Sequence, residues 1–183
     1  MKKILFLSIF LIFSIVSFAQ SQQDYKDYLI ENIEGNPALD NYKLYVFFNI
    51  NILKEDAEYM AGRNLSSDQF SNLFIYGYEI YRTNKKSQLM GQAFKCIDMS
   101  GIKKVSTYQD NFQGKKFYVV KIYMNNGYLS TSGSPDVRIE NKYEHEIKLN
   151  CKQVTAENIK KSILKLAKMN GASDAYDGND LFN

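Results

Sequence analysis

The stretch YKLYVFFNINIL, residues 42–53, alternates between two sets of side chains along its whole length. One set is apolar throughout, and strict alternation of this kind predicts a β-strand with one buried face. The other set is mixed, but it contains Tyr45, Phe47 and Leu53, which a single layer of helices would not explain. The stretch therefore predicts a central sheet whose second face meets another helix or a partner.

The spacing of apolar residues around this strand predicts the other elements. Helical spacing occurs over residues 22–34, 67–82, 87–99 and 155–170, and Ser66 with Gln69 forms a capping-box signature before the second of these helices. From residue 102 the period changes to two, which predicts strands over 102–108, 117–124 and 137–151. The order α-β-α-α-β-β-β-α favours an α+β fold, with an antiparallel sheet of about four strands and helices mainly on one face.

The first residues have the features of a secretory signal. Lys2 and Lys3 precede an apolar stretch over residues 4–18, and the small residues Ser17 and Ala19 stand at positions −3 and −1 of a cleavage site. Spanning a bilayer takes about 20 apolar residues, so this stretch is short for an anchor, which is the alternative interpretation. Its form resembles the leaders of proteins exported by Gram-negative bacteria.

These features predict how the chain is divided. We expect residues 1–19 to be removed as a signal peptide, with cleavage near Ala19 and Gln20. Residues 20–171 are predicted to fold as a single α+β domain, and residues 172–183 to form a flexible acidic tail. The mature chain is predicted to be periplasmic or secreted, with no membrane span after cleavage.

Charge is distributed unevenly along the chain. Beyond residue 19 there are 21 basic and 20 acidic side chains, too small an excess for a general nucleic-acid binder. Residues 20–81 carry 4 basic and 10 acidic side chains, whereas residues 82–121 carry 9 and 2. The two segments either neutralise each other in the fold or present a basic surface to an acidic partner. The predicted binding residues are Tyr45, Phe47, Leu53, Arg82, Lys85, Lys86, Lys103 and Lys104.

Cys96 and Cys151 are the only cysteines. A pair of cysteines in an exported chain favours a disulfide, which here would join the third predicted helix to the end of the last strand. Two buried free thiols are the alternative. Because the chain has no Cys-x-x-Cys motif, a catalytic redox pair is disfavoured.

His145, Glu144 and Glu146 are the catalytic candidates that the sequence offers. A serine or cysteine nucleophile would need His145, the only histidine, as its base. Alternation places His145 on the apolar face of the last strand, a position typical of a core histidine. The two glutamates share the other face about 7 Å apart, a separation found in glycosidases, although neighbouring lysines indicate a solvated charged face. No motif for a metal or cofactor is present, so none is predicted.

The sequence therefore favours an exported, non-catalytic module that binds another envelope or extracellular protein. The 14 tyrosines support this expectation, because tyrosine offers a large rigid contact area with a polar end. Two alternatives stay open. One is a carrier of a small apolar or glycan ligand, and the other is a small hydrolase that uses His145 or the Glu144 and Glu146 pair.

Overall fold

The described residues form four α-helices, seven β-strands and one 3-10 turn. The computed structural model describes residues 22–82, 85–133 and 138–179, without the side chains of 85–87, 126–133 and 138–142. Its helices are α1 (22–34), α2 (Lys54–Ala61), α3 (Ser67–Ser71) and α4 (Gln153–Met169). Its strands are β1 (Tyr42–Phe47), β2 (Leu73–Arg82), β3 (Lys85–Asp98), β4 (Ile102–Phe112), β5 (Lys115–Gly133), β6 (Arg138–Leu149) and β7 (Tyr176–Asp177), and a 3-10 turn, Met99–Gly101, joins β3 to β4.

All the described strands belong to one sheet, in the order β1-β2-β3-β5-β4-β7, with β6 paired to the other edge of β5. The first half of β5 pairs with β4 and its second half with β3, so the 3-10 turn marks the point where the partner changes. Every pairing is antiparallel except the short one between β4 and β7. The α+β fold with an antiparallel sheet is confirmed, but the sheet has seven strands rather than about four.

The helices cover both faces of the sheet. The main core lies between the sheet and the helices α1 and α4, which contribute Leu29, Ile33, Ile159 and Ile163. A second, smaller core lies under α2 on the opposite face and includes Phe47 at its margin. The two long helices, α1 and α4, thus pack on one face as expected, while the short helix α2 covers part of the other face. At Phe47 the second face of β1 reaches this smaller core, in agreement with one of the two alternatives that its sequence leaves open, another helix or a partner.

The strand β1 ends five residues earlier than its alternation suggests. Beyond Phe47, the Asn51 side chain accepts a hydrogen bond from the Phe48 N–H at 2.6 Å, and the Asn51 N–H donates to the Phe48 carbonyl at 3.0 Å. These local bonds close a turn and compete with the strand ladder, which is the usual effect of asparagine on backbone structure. Residues 48–52 therefore keep the alternating apolar pattern although they do not form a strand.

The predicted helices over 67–82 and 87–99 are wrong. The capping box of Ser66 and Gln69 is present, but the helix that it begins, α3, ends at Ser71. In β2, Phe74 and Tyr76 face the main core while Leu73 and Ile75 face the second core. A strand covered on both faces has a nearly continuous apolar sequence, which also contains pairs at helical spacing. The strand β3 pairs with β2 over most of its length, but its apolar residues Met90, Ala93, Phe94 and Ile97 lie at helical spacing in the sequence.

The segment after α4 is packed, not a flexible tail, over residues 172–179. Ala172 and Ala175 are buried in the main core. β7 then pairs in parallel with β4, and the Gly178 N–H donates to the Val105 carbonyl at 2.7 Å. The strand β5 also continues as far as Gly133, beyond the strand predicted over residues 117–124. Residues 180–183 and the predicted signal peptide lie outside the described residues.

The predicted disulfide is absent, because both cysteines are free. Cys96 belongs to β3, not to a helix, and it packs in the second core under α2. Cys151 follows β6 and packs at the edge of the main core, on the opposite face of the sheet. The sheet itself therefore separates the two thiols. None of the helices in the described ranges has the length and apolar character that crossing a membrane requires.

Thiol labelling tests this arrangement. Burial raises the pKa of the Cys96 thiol to about 12 and raises that of Cys151 as well, so few thiolates exist at pH 8. Without added reductant, we expect an aromatic disulfide reagent to detect two thiols in guanidinium. In the native protein, Cys96 should react at least about 100-fold more slowly. A Cys96→Ser variant should show one thiol, and the absence of any thiol in the denatured protein would contradict the structure.

Candidate functional site

A cavity of about 490 Å³ opens beside β6. Its apolar wall is built from five different segments and consists of Ala38, Leu39, Tyr42, Tyr76, Tyr78, Phe117 and His145. Asp110, Asn111 and Lys148 add polar groups, and the cavity also reaches Lys95, Phe112, Glu144 and Glu146. We call this cavity the tyrosine pocket. Its volume lies within the usual range of small-ligand sites, about 300–1,000 Å³.

The aromatic wall of the tyrosine pocket is a connected stack. The ring centroids of Tyr42 and Tyr78 are 5.8 Å apart, and those of Tyr76 and Tyr78 are 6.4 Å apart. This row follows from the register of β1 and β2, in which Leu44 lies opposite Tyr78. Burial raises the pKa of Tyr76, whose phenol therefore stays protonated. The wall is thus apolar on its ring faces and carries hydroxyl groups at its ring edges.

His145 closes the row of aromatic rings. Its imidazole centroid lies 4.9 Å from that of Tyr76, and only 6% of the residue is exposed. The face of β6 that it shares with Ile147 and Leu149 is the apolar one, as the alternation of the sequence predicted. His145 is therefore built into the wall of the pocket from the core side, where an aromatic neighbour holds its ring.

Glu144 and Glu146 lie on the outer face of β6 and share one cation. The Lys121 ammonium is 2.6 Å from a Glu144 carboxylate oxygen and 3.6 Å from one of Glu146. The hydrogen bond to Glu144 outweighs burial and raises the pKa of Lys121. The Tyr108 hydroxyl also donates to Glu146 at 2.9 Å. The charged face that the sequence indicated is therefore present, and it is organised around Lys121.

The residues predicted to bind a partner do not converge on one surface. The hydroxyl of Tyr45 donates to Glu79 at 2.7 Å, while Phe47 packs toward the second core and Leu53 is 69% exposed at the start of α2. Lys104 lies over the Tyr123 ring at 4.5 Å on the opposite half of the sheet. Arg82 and Lys103 are exposed at separate places, and the side chains of Lys85 and Lys86 lie outside the described residues.

A second recess lies between α1 and α4. It has a volume of about 640 Å³ and is lined by Asp24, Tyr25, Tyr28, Asn158, Lys161, Ser162, Leu164, Lys165 and Lys168. The two helices run in opposite directions here, since Gln22 near the start of α1 donates to Asn170 at the end of α4. We call this recess the basic groove. The charge pattern of the sequence does not indicate this groove, because its lysines lie outside residues 82–121, where the excess of basic residues is found.

A buried polar cluster, here called the C-terminal clamp, joins α4, β4 and the last described residues. The ammonium of Lys160 lies 2.6 Å from Glu157 and 2.8 Å from Asp177, and it donates to Asn179 at 3.2 Å. Asn179 also accepts from the Thr107 N–H and donates to the Thr107 carbonyl, both at 2.6 Å. Burial alone would lower the pKa of Lys160, but its bonds to the carboxylates raise it. The clamp is structural, because each of its polar groups already has a partner.

Comparisons with known proteins found no match: no protein-family model, no curated protein sequence and no solved structure matches this chain. Within the described part of the chain there is also no group of three or more histidine, cysteine, aspartate or glutamate side chains placed to hold a metal ion. The tyrosine pocket and the basic groove are therefore the features of the described structure that point to a function.

An Asp177→Asn variant tests the C-terminal clamp. Burial alone would raise the Asp177 pKa, but hydrogen bonds from Lys160 and the Asn179 N–H keep it below the ordinary value of 3.8. Its stabilising effect is therefore fully present above that value and is lost as pH falls through the lower, folded pKa. We expect the variant to lose about 1 kcal/mol of unfolding free energy between pH 5 and 8, and the difference to shrink below about pH 4.

Urea denaturation followed by circular dichroism would measure this difference. Asp174→Asn is the matched control, because Asp174 is exposed and bonds only to the adjacent Ser173 hydroxyl. The control should stay within about 0.5 kcal/mol of the parent protein. A difference for Asp177→Asn that did not change with pH would contradict the role assigned to its carboxylate.

Proposed function

We propose that this chain is an exported, non-catalytic binding protein whose ligand occupies the tyrosine pocket. The observation that carries the proposal is the pocket itself, a cavity of about 490 Å³ with a wall of stacked aromatic rings. Export is supported by the signal-like residues 1–19. Of the alternatives that the sequence leaves open, the pocket favours a carrier of a small apolar or glycan ligand.

The chemistry of the wall favours a small glycan or a small apolar ring compound. Aromatic faces pack against the apolar faces of sugar and aromatic rings, and the hydroxyls of Tyr42 and Tyr78 supply hydrogen-bonding groups beside them. Asp110 and Asn111 add acceptors and donors from the end of β4, just before the turn to β5. A ligand with one apolar face and several hydroxyl groups would use both kinds of surface.

The arrangement of the catalytic candidates favours binding over hydrolysis. A glycosidase needs one carboxyl group to donate a proton and the other to act as nucleophile or base. Here both Glu144 and Glu146 lie within 4.0 Å of the same lysine, so the two carboxylates share one partner and are not set apart for two different roles. His145 packs against Tyr76 on the core side, where alternation keeps it apart from the two carboxylates.

Binding of another protein is the second candidate function, and the basic groove is the observation that favours it. This groove combines exposed lysines with tyrosines, residue types that fit an acidic partner. The residues first predicted for this role are spread over several surfaces and offer no comparable site. The tyrosine pocket and the basic groove are separate, since no residue lines both.

Blocking the tyrosine pocket tests the first proposal. Lys148 is exposed and lines the pocket, so Lys148→Trp would place a large ring over it without removing a core side chain. We expect at least one member of a panel of disaccharides and small aromatic compounds to raise the melting temperature of the protein by a few degrees. The Lys148→Trp variant should lose this shift while keeping its circular dichroism spectrum.

Lys116→Trp is the matched control, because Lys116 is exposed on the neighbouring strand β5 but does not line the pocket. It should respond to the ligand as the parent protein does. Since the chain contains no tryptophan, the fluorescence of each introduced ring gives a second, independent readout. An equal response of both variants to the ligand, or no response of the parent protein to any compound, would count against the proposal.

A further inference from the structure

The basic groove has two different walls. On the side of α1, Tyr25 and Tyr28 are half-buried and pack against the main core, so their rings form a fixed apolar surface. On the side of α4, Lys161, Lys165 and Lys168 are exposed and follow one another at the spacing of a single helix face. The groove is therefore a recess with an aromatic side and a cationic side.

The charge of Lys161 lowers the pKa of Asp177 from a distance, but the three lysines have no close counter-ion among the described residues. None of them forms an ion pair with any residue that the structure describes, in contrast to Lys160 one position earlier, which is held by two carboxylates. The groove does contain one acid, Asp24, on the side of α1. The side chains that line the groove therefore carry a net charge of +2. The whole chain beyond residue 19 has an excess of only one basic side chain. This localised charge attracts an anionic partner to one place on the surface.

We infer that the basic groove binds an extended, acidic segment of another protein, an inference that rests on the second proposed function. Along the helix axis, Lys161 and Lys165 are separated by about 6 Å, from a rise of 1.5 Å per residue. In an extended chain, alternate side chains repeat every 6.6 Å or so, and they point to the same side. Acidic residues at alternate positions therefore match the two lysines, while the backbone and intervening side chains pack along Tyr25 and Tyr28.

The shape of the site favours a peptide over a membrane surface. A flat bilayer cannot enter a recess between two helices, whereas a single extended chain can lie along it. Asp24 would repel the phosphate groups of an anionic membrane, but in a peptide site it accommodates a basic side chain or an amino terminus. The direction of the bound segment would then be set by Asp24 at one wall of the groove.

Fluorescence anisotropy with a labelled ten-residue peptide of alternating Glu and Ser tests the inference on the purified mature chain. We expect saturable binding at low salt that weakens strongly at 500 mM salt, because exposed charges are then screened within a few ångströms, about 3–4 Å. The double variant Lys161→Glu and Lys165→Glu should bind at least about tenfold more weakly. The double control Lys116→Glu and Lys152→Glu changes two exposed lysines outside the groove and alters the net charge equally, and it should bind within about twofold of the parent protein.

Three results would overturn the inference. One is an equal loss of binding in the two double variants, which would indicate attraction to net charge alone. Another is binding of vesicles made of phosphatidylglycerol and phosphatidylcholine without binding of the peptide. The third is the absence of peptide binding at low salt. The Lys148→Trp variant separates this test from that of the tyrosine pocket, since blocking the pocket should leave peptide binding unchanged.

Discussion

The fold depends on the change of partner along β5. This strand of 19 residues pairs with β6 along one edge, and along the other edge it pairs first with β4 and then with β3. The two partners are consecutive in sequence and are separated only by the 3-10 turn at Met99–Gly101. Opposite this turn, the pairing of β5 with β6 has a register shift between Tyr123 and Tyr128. Interruptions of this kind increase local twist and bend a sheet, so one continuous ladder can change direction.

The bend brings together parts of the chain that are distant in sequence. On the core side, it places His145 of β6 against Tyr76 of β2, two rings that come from opposite sides of β5 in the sheet. The tyrosine pocket forms where these parts meet, beside the short connection that links α1 to β1. A flat sheet in the same strand order would hold β2 and β6 apart, with β3 and β5 between them.

Charge contributes in three distinct ways that the total charge does not reveal. Part of it is structural, as in the C-terminal clamp, where Lys160 joins α4 to the segment that follows it. Other charged side chains neutralise one another on the outer face of the sheet, where Lys121 pairs with two glutamates of β6. Lys115 and Asp40 also connect the basic and acidic segments of the sequence, with a separation of 2.9 Å. The lysines of the basic groove differ from all of these, because none of them forms an ion pair with a described carboxylate, although Asp24 lines the same groove.

The sequence by itself determined the class of fold and the elements with one exposed face. The strand at Tyr42, the capping box at Ser66, the apolar side of β6 that carries His145 and the helix α4 could all be predicted, since an alternating or helical pattern is clear when only one face is buried. The strands β2 and β3 could not be predicted. Both faces of β2 are covered, and a nearly continuous apolar run fits a helix as well as a strand. In β3, the spacing of Met90, Ala93, Phe94 and Ile97 fits a helix, although Met90 is exposed.

Only the tertiary structure decided the sites. The tyrosine pocket depends on the register of β1 against β2 and on the bend of β5, neither of which leaves a local pattern in the sequence. The separation of Cys96 from Cys151 depends on which face of the sheet each residue occupies. The sequence does not indicate these faces, because its pattern around Cys96 predicts a helix and not a strand. Local periodicity reports which side of an element is buried, whereas contacts between distant elements are set by how the sheet pairs and bends.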